Sequence, residues 1–350
     1  MKQLKTMKAM VLTGIRAMAL QDVPMPSLSG REDVLLRLGA VGVCGSDIHY
    51  YTTGRIGSQV VQYPFRVGHE CAATVERVGA GVNRVRPGDR VAIDPAVSCG
   101  QCDQCKAGRP HTCRKLLFLG CPGQIEGCLG EFMVMPQECC YPIPSGMTFE
   151  QAALAEPLSI GIYAATLAGS LAGRKIGILG AGPIGLSVLL AARAQGVRPI
   201  YVTDKINARL SAASRAGATW TGNPTCTDIV ADIAAAEPLL LDVVLECCGQ
   251  QAAVDQAIDL LKPGGKLVMV GIPEVDRISL VIDKARRKEI CLQNVRRQNG
   301  CVQAALDLIA GGTVSVDFML THRFPFAETR QAFDLVAEYR DGVVKAMIEM

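Results

Sequence analysis

Lys-Ile-Gly-Ile-Leu at 175–179, running into Gly-Ala-Gly-Pro-Ile-Gly at 180–185 and an apolar stretch to Gln195, decides the fold of this chain. The first run reads as a buried strand and Pro183–Gln195 as a helix, with a G-x-G-x-x-G turn between them. Gly180 permits the tight turn out of the strand, Gly182 lets the backbone approach a pyrophosphate, and Gly185 lets the helix pack closely on the sheet. Pro183 costs nothing at the first helical position, because its missing N–H has no intrahelical partner there anyway. The helix N-terminus, with Ile184 beside it, then offers free N–H groups and positive partial charge to phosphates. The next strand ends on Asp204, 24 positions after Gly180. An acidic residue there accepts hydrogen bonds from a ribose 2′-OH and repels a 2′-phosphate. NAD is therefore expected over NADP, a preference that the neighbouring Lys205 and Arg209 temper. Asp204 as a mere surface cap of the next helix is the bland alternative, which the strand–turn–helix context disfavours.

Outward from this turn the alternation continues. Strands are expected at Lys175–Leu179, Ile200–Thr203, Asp242–Glu246 and Lys266–Val270, with helices at Pro183–Gln195, Ala208–Arg215 and Ala253–Leu261. Ile290–Val295 is a candidate last strand. Strand–helix alternation with short polar connections implies a doubly wound parallel sheet, a Rossmann domain over 156–295 in an α/β protein. Residues 1–155 have a different texture, with short β-type runs (Val34–Leu38, Ala73–Val78, Arg90–Ile93) and turn signals such as Arg86-Pro87-Gly88-Asp89. Thr148-Phe149-Glu150-Gln151 has the form of a capping box where the texture changes. From 296 onward one helix (Val302–Ala310) and a short strand-like tail are expected, too little for a domain, so 296–350 should complete the first one.

Length and composition set the outer bounds. At 350 residues and 37.2 kDa the chain is long enough for about two domains. With 49% hydrophobic and 20% charged residues it is globular rather than disordered. A net charge of +3, without a segregated basic block, excludes an electrostatic nucleic-acid footprint. Fifteen cysteines stand out. Their odd count, the adjacent pairs Cys139-Cys140 and Cys247-Cys248, and an N-terminus (MKQLKTMKAMVLTG) without an apolar leader argue against a disulfide framework. A reducing, cytoplasmic setting is expected, with no membrane partner, since no apolar run reaches the roughly 18 residues a membrane helix needs.

Four of those cysteines, Cys99, Cys102, Cys105 and Cys113, form C-x2-C-x2-C-x7-C. Four thiolates so spaced close tetrahedrally on one ion and leave no open position, which points to structural zinc. An iron–sulfur cluster is the alternative, but the fourth spacing departs from the ferredoxin run. Other potential ligands lie in Gly42-Val43-Cys44-Gly45-Ser46-Asp47-Ile48-His49-Tyr50, in Gly68-His69-Glu70, and at Glu156 in Ala155-Glu156-Pro157-Leu158. Singly each is weak; beside a nicotinamide fold they gain meaning. A hydride leaves a carbinol carbon once its hydroxyl becomes an alkoxide, and zinc with an open position achieves this at neutral pH.

Over essentially its whole length the chain resembles the zinc-containing medium-chain dehydrogenases, and among them the sorbitol/xylitol (polyol) type. The resemblance is carried by GVCGSDIHYY at 42–51, TGRIG at 53–57, VGHE at 67–70, AEPLSIG at 155–161, GAGPIG at 180–185 and THRFP at 321–325. It implies a GroES-like β-rich catalytic domain beside the Rossmann domain, and two zinc ions per chain. Cys44, His69 and Glu70 would hold the catalytic zinc, with Glu156 beside it, directly or through water. Asp47 would orient His69, while Ser46 and His49 would pass the substrate proton to solvent. Tyr50, Ile56 and Phe118 match substrate-pocket positions, and Arg297 one that reaches the cofactor or a polyol hydroxyl. Ile184, Asp204, Arg209, Gly271, Ile272 and Val295 match contacts to NAD. Association as a homotetramer, or else a dimer, is implied as well. One departure concerns the pocket: Arg296-Arg297-Gln298-Asn299 lacks the aromatic residue often found after the arginine, which makes the distal pocket more polar. Another is the four-cysteine lobe, absent from some animal members and kept here.

The expected activity is oxidation of a secondary alcohol of a polyol to a ketose with NAD. The same chemistry on an aldonate, a sugar-alcohol phosphate or threonine is the runner-up. Glu156-Pro157-Leu158 and His49-Tyr50 favour an uncharged polyol, and Arg55, Arg296 and Arg297 keep a phosphate in view. A non-catalytic dinucleotide- or zinc-binding protein is the alternative from another class, weakened by the presence of every ligand and relay residue.

Overall fold

The structure, a computed structural model, describes residues 6–350. The first five residues of the N-terminal stretch discussed above lie outside the described residues. Two compact units divide the chain: residues through Glu156 together with Val302–Met350, and Pro157–Cys301.

The second unit is a six-stranded parallel sheet. Its spatial order is Trp220–Gly222, Ile200–Thr203, Ile176–Leu179, Leu241–Glu246, Leu261–Met269 and Cys291–Asn294. The chain starts in the middle, winds to one edge, then returns and winds to the other, which is the doubly wound order 3-2-1-4-5-6. All residues of Ile176–Leu179 and Ile200–Thr203 are buried, as strands covered on both faces require. The helices Pro183–Ala194, Asn207–Arg215 and Gln251–Leu260 form the expected crossovers. Three elements carried no sequence expectation. Trp220–Gly222 is very short, Ile229–Ala236 is a helix capped by Asp228, whose carboxylate accepts from the Val230 and Ala231 N–H groups at 3.1 Å each, and Ile282–Arg287 is a single exposed helical stretch. The fifth strand starts earlier than its apolar run, at Leu261, and its pairing shifts register between Leu241 and Val243. Lys262-Pro263-Gly264-Gly265 lies in that irregular stretch, since proline cannot donate to a ladder.

In the first unit, the strand Asp33–Gly42 is the hub of a seven-stranded sheet. On one side it pairs with Glu70–Val78, then Arg90–Ile93 and Cys140–Pro142; on the other with Lys345–Glu349 and then Leu320–Pro325; Phe132–Pro136 also pairs with it. Thr148 and Gln151 form the expected capping box, each side chain taking the other's N–H at 3.1 Å. Beyond 296 the expectation of one helix is corrected to two, Val302–Ala310 and Thr329–Ala337. The second is amphipathic and packs Phe333 edge-on against Tyr51, with ring centroids 5.5 Å apart. Its Asp334 accepts the Tyr51 hydroxyl at 2.6 Å. The final strand, Lys345–Glu349, pairs antiparallel with the hub through Met347–Gly42, Ile348–Val41 and Glu349–Ala40.

The glycine turn leaves no room for change at one position. A Cβ at Gly185 would sit 1.8 Å from the Gly180 carbonyl oxygen. Gly185→Ala should therefore destabilise the second unit by about 1–3 kcal/mol or more, as overpacking does, and weaken dinucleotide binding; urea unfolding and cofactor titration measure both.

Candidate active site and metal centres

Cys44 caps the helix Gly45–Thr53 directly after the hub strand. That helix carries Ser46, Asp47, His49 and Tyr50, so one turn and a half of backbone fixes their relative positions. Asp47 is fully buried and braces two segments. Its Oδ2 accepts the Cys44 N–H at 3.2 Å, its Oδ1 accepts the Gly68 N–H at 3.1 Å, and the same Oδ1 lies 3.4 Å from His69 Nδ1. Gly68 adopts a left-handed φ of +99°, and a Cβ there would lie 3.0 Å from Cys128 Sγ, so glycine is needed to turn the chain into His69. Glu70, the next residue, opens the strand Glu70–Val78.

Cys44, His69 and Glu70 each place one donor atom within 4.8 Å of the others. Glu70 is 1% exposed, and its Oε1 is buried without a hydrogen-bond partner. Its other oxygen, Oε2, accepts a short hydrogen bond from Lys345 Nζ, which also donates to the Val43 carbonyl at 3.1 Å. Burial pushes the His69 pKa down, but Asp47 and Cys44 outweigh it and hold the imidazole well above its ordinary value. One imidazole, one thiol and a carboxylate oxygen lacking any partner form a donor set that zinc accepts, with room for a fourth ligand.

Glu156 lies outside this three-residue set. It is 7% exposed in the first turn of the helix Ala155–Ala168. Burial, together with the Glu70 charge, raises its pKa to about 7 against the opposing pull of His69 and Lys345. Ser46 Oγ donates to Cys44 Sγ at 3.4 Å, and His49 is half-buried one turn further on. The Phe118 ring stands 5.2 Å from that of His69, tilted by 54°. Tyr50 is buried, and its hydroxyl donates to Gln59 Oε1 at 3.1 Å and lies 3.8 Å from Cys121 Sγ. Ile56, half-buried, belongs to the small ladder Arg55–Ile56 with Gln59–Val60. Lys345, Gln59 and Cys121 were not found by sequence reasoning. A lysine in a C-terminal strand or a glutamine in a short ladder carries no local signal of what it touches.

In the cysteine lobe, Cys99, Cys102, Cys105 and Cys113 bring their sulfur atoms within 4.8 Å of one another. Cys102 Sγ lies 3.6 Å from Cys105 Sγ and 3.8 Å from Cys113 Sγ. A zinc–sulfur length of about 2.3 Å gives a tetrahedral edge of about 3.8 Å, which these two separations match. Backbone N–H groups of Cys99 and Lys115 donate to Cys113 Sγ at 3.3 Å each. Hydrogen bonds from the Arg114 and Cys105 backbone lower the Cys102 pKa to about 6. The lobe has almost no apolar core of its own, and Arg114 pairs with Asp103 across it. None of the fifteen cysteines is joined in a disulfide.

The second unit holds the dinucleotide candidates. Gly180 takes a φ of +103°, and Gly182 is the N-cap of the helix Pro183–Ala194. A Cβ on Gly182 would meet only Arg209 Nη1, at 3.6 Å, so nothing in the protein fills the space its missing side chain leaves. That open cradle, with Arg209 at its rim, fits a pyrophosphate. Asp204 Oδ2 accepts the Ala181 N–H at 2.7 Å and Oδ1 the Ile206 N–H at 2.8 Å, tying the glycine turn to the second strand's end. Gly271 and Ile272 follow the fifth strand, and the Ile272 carbonyl packs on Gly249. Val295 donates its N–H to the Met269 carbonyl at 2.9 Å, and Arg297 is held at a left-handed φ of +55°. Such a backbone in an arginine is a strain that often marks functional loops.

Comparison with known proteins follows the same division. Residues 30–145 match the model of the alcohol dehydrogenase GroES-like domain, and residues 183–311 that of the zinc-binding dehydrogenase domain. Sorbitol dehydrogenase of Bacillus subtilis is 36% identical over 98% of this chain and 97% of its own length. A solved oxidoreductase of unknown specificity from Escherichia coli superposes with a TM-score of 0.91 at 31% identity, covering 98% of this chain and 99% of that one. L-idonate 5-dehydrogenase of Escherichia coli also gives 0.91, at 26% identity over 99% and 98%.

Two outcomes are expected. Cys105→Ser should lower the metal content and expose the lobe at 99–115 to protease; metal analysis and limited proteolysis measure this. In metal-free protein, folding favours protonated Glu156, so its contribution to stability falls as the pH rises from about 4.5 to about 7 and is lost above that. Glu156→Gln should flatten this fall in urea unfolding series.

Proposed function

The chain belongs to the zinc-containing medium-chain dehydrogenases, on the sorbitol dehydrogenase-like branch, and on that premise we propose that it oxidises a secondary alcohol of a polyol to a ketone with NAD. It is a zinc- and nicotinamide-dinucleotide-dependent alcohol dehydrogenase. The observation that carries the proposal is the partnerless Glu70 Oε1 beside Cys44 and His69, an atom whose burial suits an opposing cation. We assign the catalytic zinc to Cys44, His69 and Glu70 and a structural zinc to the cysteine lobe, two ions per chain.

Zinc at the first site supplies Lewis acidity that makes a substrate hydroxyl acidic near neutral pH. The remaining work falls to the chain. Asp47 fixes the His69 ring and the Cys44 backbone together, so the donor set is held before substrate arrives. Ser46 and His49, a turn apart on one helix, carry the hydroxyl proton toward solvent. Phe118, Tyr50 and Ile56 shape the substrate side in the first unit, and Arg297, in the second, is available to the cofactor. Glu156, buried near His69 and Glu70, can meet the ion directly or through a water. The glycine turn and Arg209 receive the pyrophosphate. Each Asp204 oxygen accepts one backbone N–H and keeps a second lone pair for the ribose hydroxyls, which favours NAD over NADP. The structural likeness to L-idonate 5-dehydrogenase, together with Arg296 and Arg297, favours a polar or acidic sugar derivative as the second reading. Among the described residues no helix is long and apolar enough to cross a membrane. We further propose a cytoplasmic setting and a homotetramer, with light scattering as the test of the latter.

NADH formation across polyols, aldonates and sugar-alcohol phosphates, with NADP as control, tests the reading. Uncharged polyols with NAD should turn over best. Ser46→Ala should lower kcat by about 10²–10⁴-fold with zinc content unchanged, and Cys44→Ser should abolish turnover. Retention of polyol oxidation by Cys44→Ser overturns the assignment.

A further inference from the structure

Lys345 is a charged side chain that the dehydrogenase chemistry leaves without a task. It is 1% exposed on the last strand, 275 residues from Glu70 along the chain. An ammonium that deeply buried is costly unless paired and hydrogen-bonded. Its two hydrogen bonds go to the Val43 carbonyl, one residue before Cys44, and to Glu70 Oε2. One cation thus grips the backbone beside the first donor of the set and the side chain of the third. It also divides the Glu70 carboxylate, because Oε2 is taken while Oε1 remains partnerless.

We propose that Lys345 is the positioning residue of the catalytic zinc centre, holding Glu70 by Oε2 so that Oε1 is the oxygen left for the ion. Formal charges point the same way. The Cys44 thiolate and the Glu70 carboxylate neutralise a divalent ion, and Lys345 offsets the buried Asp47 carboxylate, which leaves the cluster neutral when Glu156 is protonated and singly negative when it is ionised. The C-terminal strand therefore does more than extend the sheet: it delivers the counter-charge to a site whose ligands all come from the first half of the chain. This rests on the zinc assignment proposed above.

The test measures metal release rather than turnover alone. Holoenzyme is challenged with a chelator, with lobe zinc as the internal reference, and the catalytic site is also loaded with cobalt(II) for its visible spectrum. Lys345→Met should release catalytic-site metal about 10- to 100-fold faster, the range for lost ligand-orienting partners, with shifted cobalt bands and an unchanged lobe. Since Lys345→Met strands a buried carboxylate, Glu70→Gln and the Glu70→Gln/Lys345→Met pair accompany it. In the Glu70→Gln background the lysine substitution should change release by less than about twofold, because Lys345 acts through Glu70. Parental release with an unshifted spectrum in Lys345→Met, or an effect equally large in the Glu70→Gln background, overturns the proposal. If the zinc assignment itself fails, unmodified protein carries only lobe zinc and shows no cobalt band at Cys44, which separates the two failures.

Discussion

Buried negative charge is the constraint on which the first unit depends. Asp47 and Glu70 are both at most 1% exposed, and neither side chain sits in water that would solvate it. A carboxylate in such a place must be hydrogen-bonded and opposed by positive charge. Asp47 meets the need with two backbone N–H groups and the His69 ring, Glu70 with Lys345 on one oxygen. The hub strand Asp33–Gly42 makes this possible, since it pairs with the strand that begins at Glu70 on one side and with the strand that begins at Lys345 on the other. Gly42 opposite both Glu70 and Met347 leaves room for the carboxylate: a Cβ there would lie 2.5 Å from Glu70 Oε2. Sheet topology and site electrostatics are thus one arrangement.

The second unit solves a different problem with backbone alone. Phosphate recognition there needs free N–H groups at a helix start and a close approach, which side chains would obstruct. Gly180, Gly182 and Gly185 serve different ends: positive φ, open space, and contact too tight for any Cβ. Asp204 fastens the turn by accepting the Ala181 N–H. The same carboxylate therefore contributes to the shape of the turn as well as to the proposed ribose selection, so substituting it would disturb both.

Legibility in the sequence followed the range of the interaction. Strands such as Ile176–Leu179 and Ile200–Thr203, the Thr148–Gln151 capping box and the four-cysteine lobe are each written within a few residues, and local spacing sufficed to read them. The proposed zinc donors Cys44 and His69-Glu70 are 25 positions apart, and only the resemblance to a family joined them. Lys345 was invisible for a physical reason. Its partner is 275 residues distant and nothing in Val344-Lys345-Ala346 distinguishes a buried ammonium from a solvated one. The short strand Trp220–Gly222 and the helix Thr329–Ala337 escaped because the first is too brief for a period. The second hides its apolar face among threonine, arginine, glutamine and aspartate.

Anomalous scattering at the zinc edge, from crystals of metal-loaded protein, tests the central claim most directly. The account predicts two peaks per chain: one amid the four lobe sulfurs, and one about 2.0–2.3 Å from Cys44 Sγ, a His69 ring nitrogen and Glu70 Oε1, with Lys345 still on Glu70 Oε2. A single peak in the lobe, or a second ion that leaves Glu70 Oε1 without a partner, would contradict it.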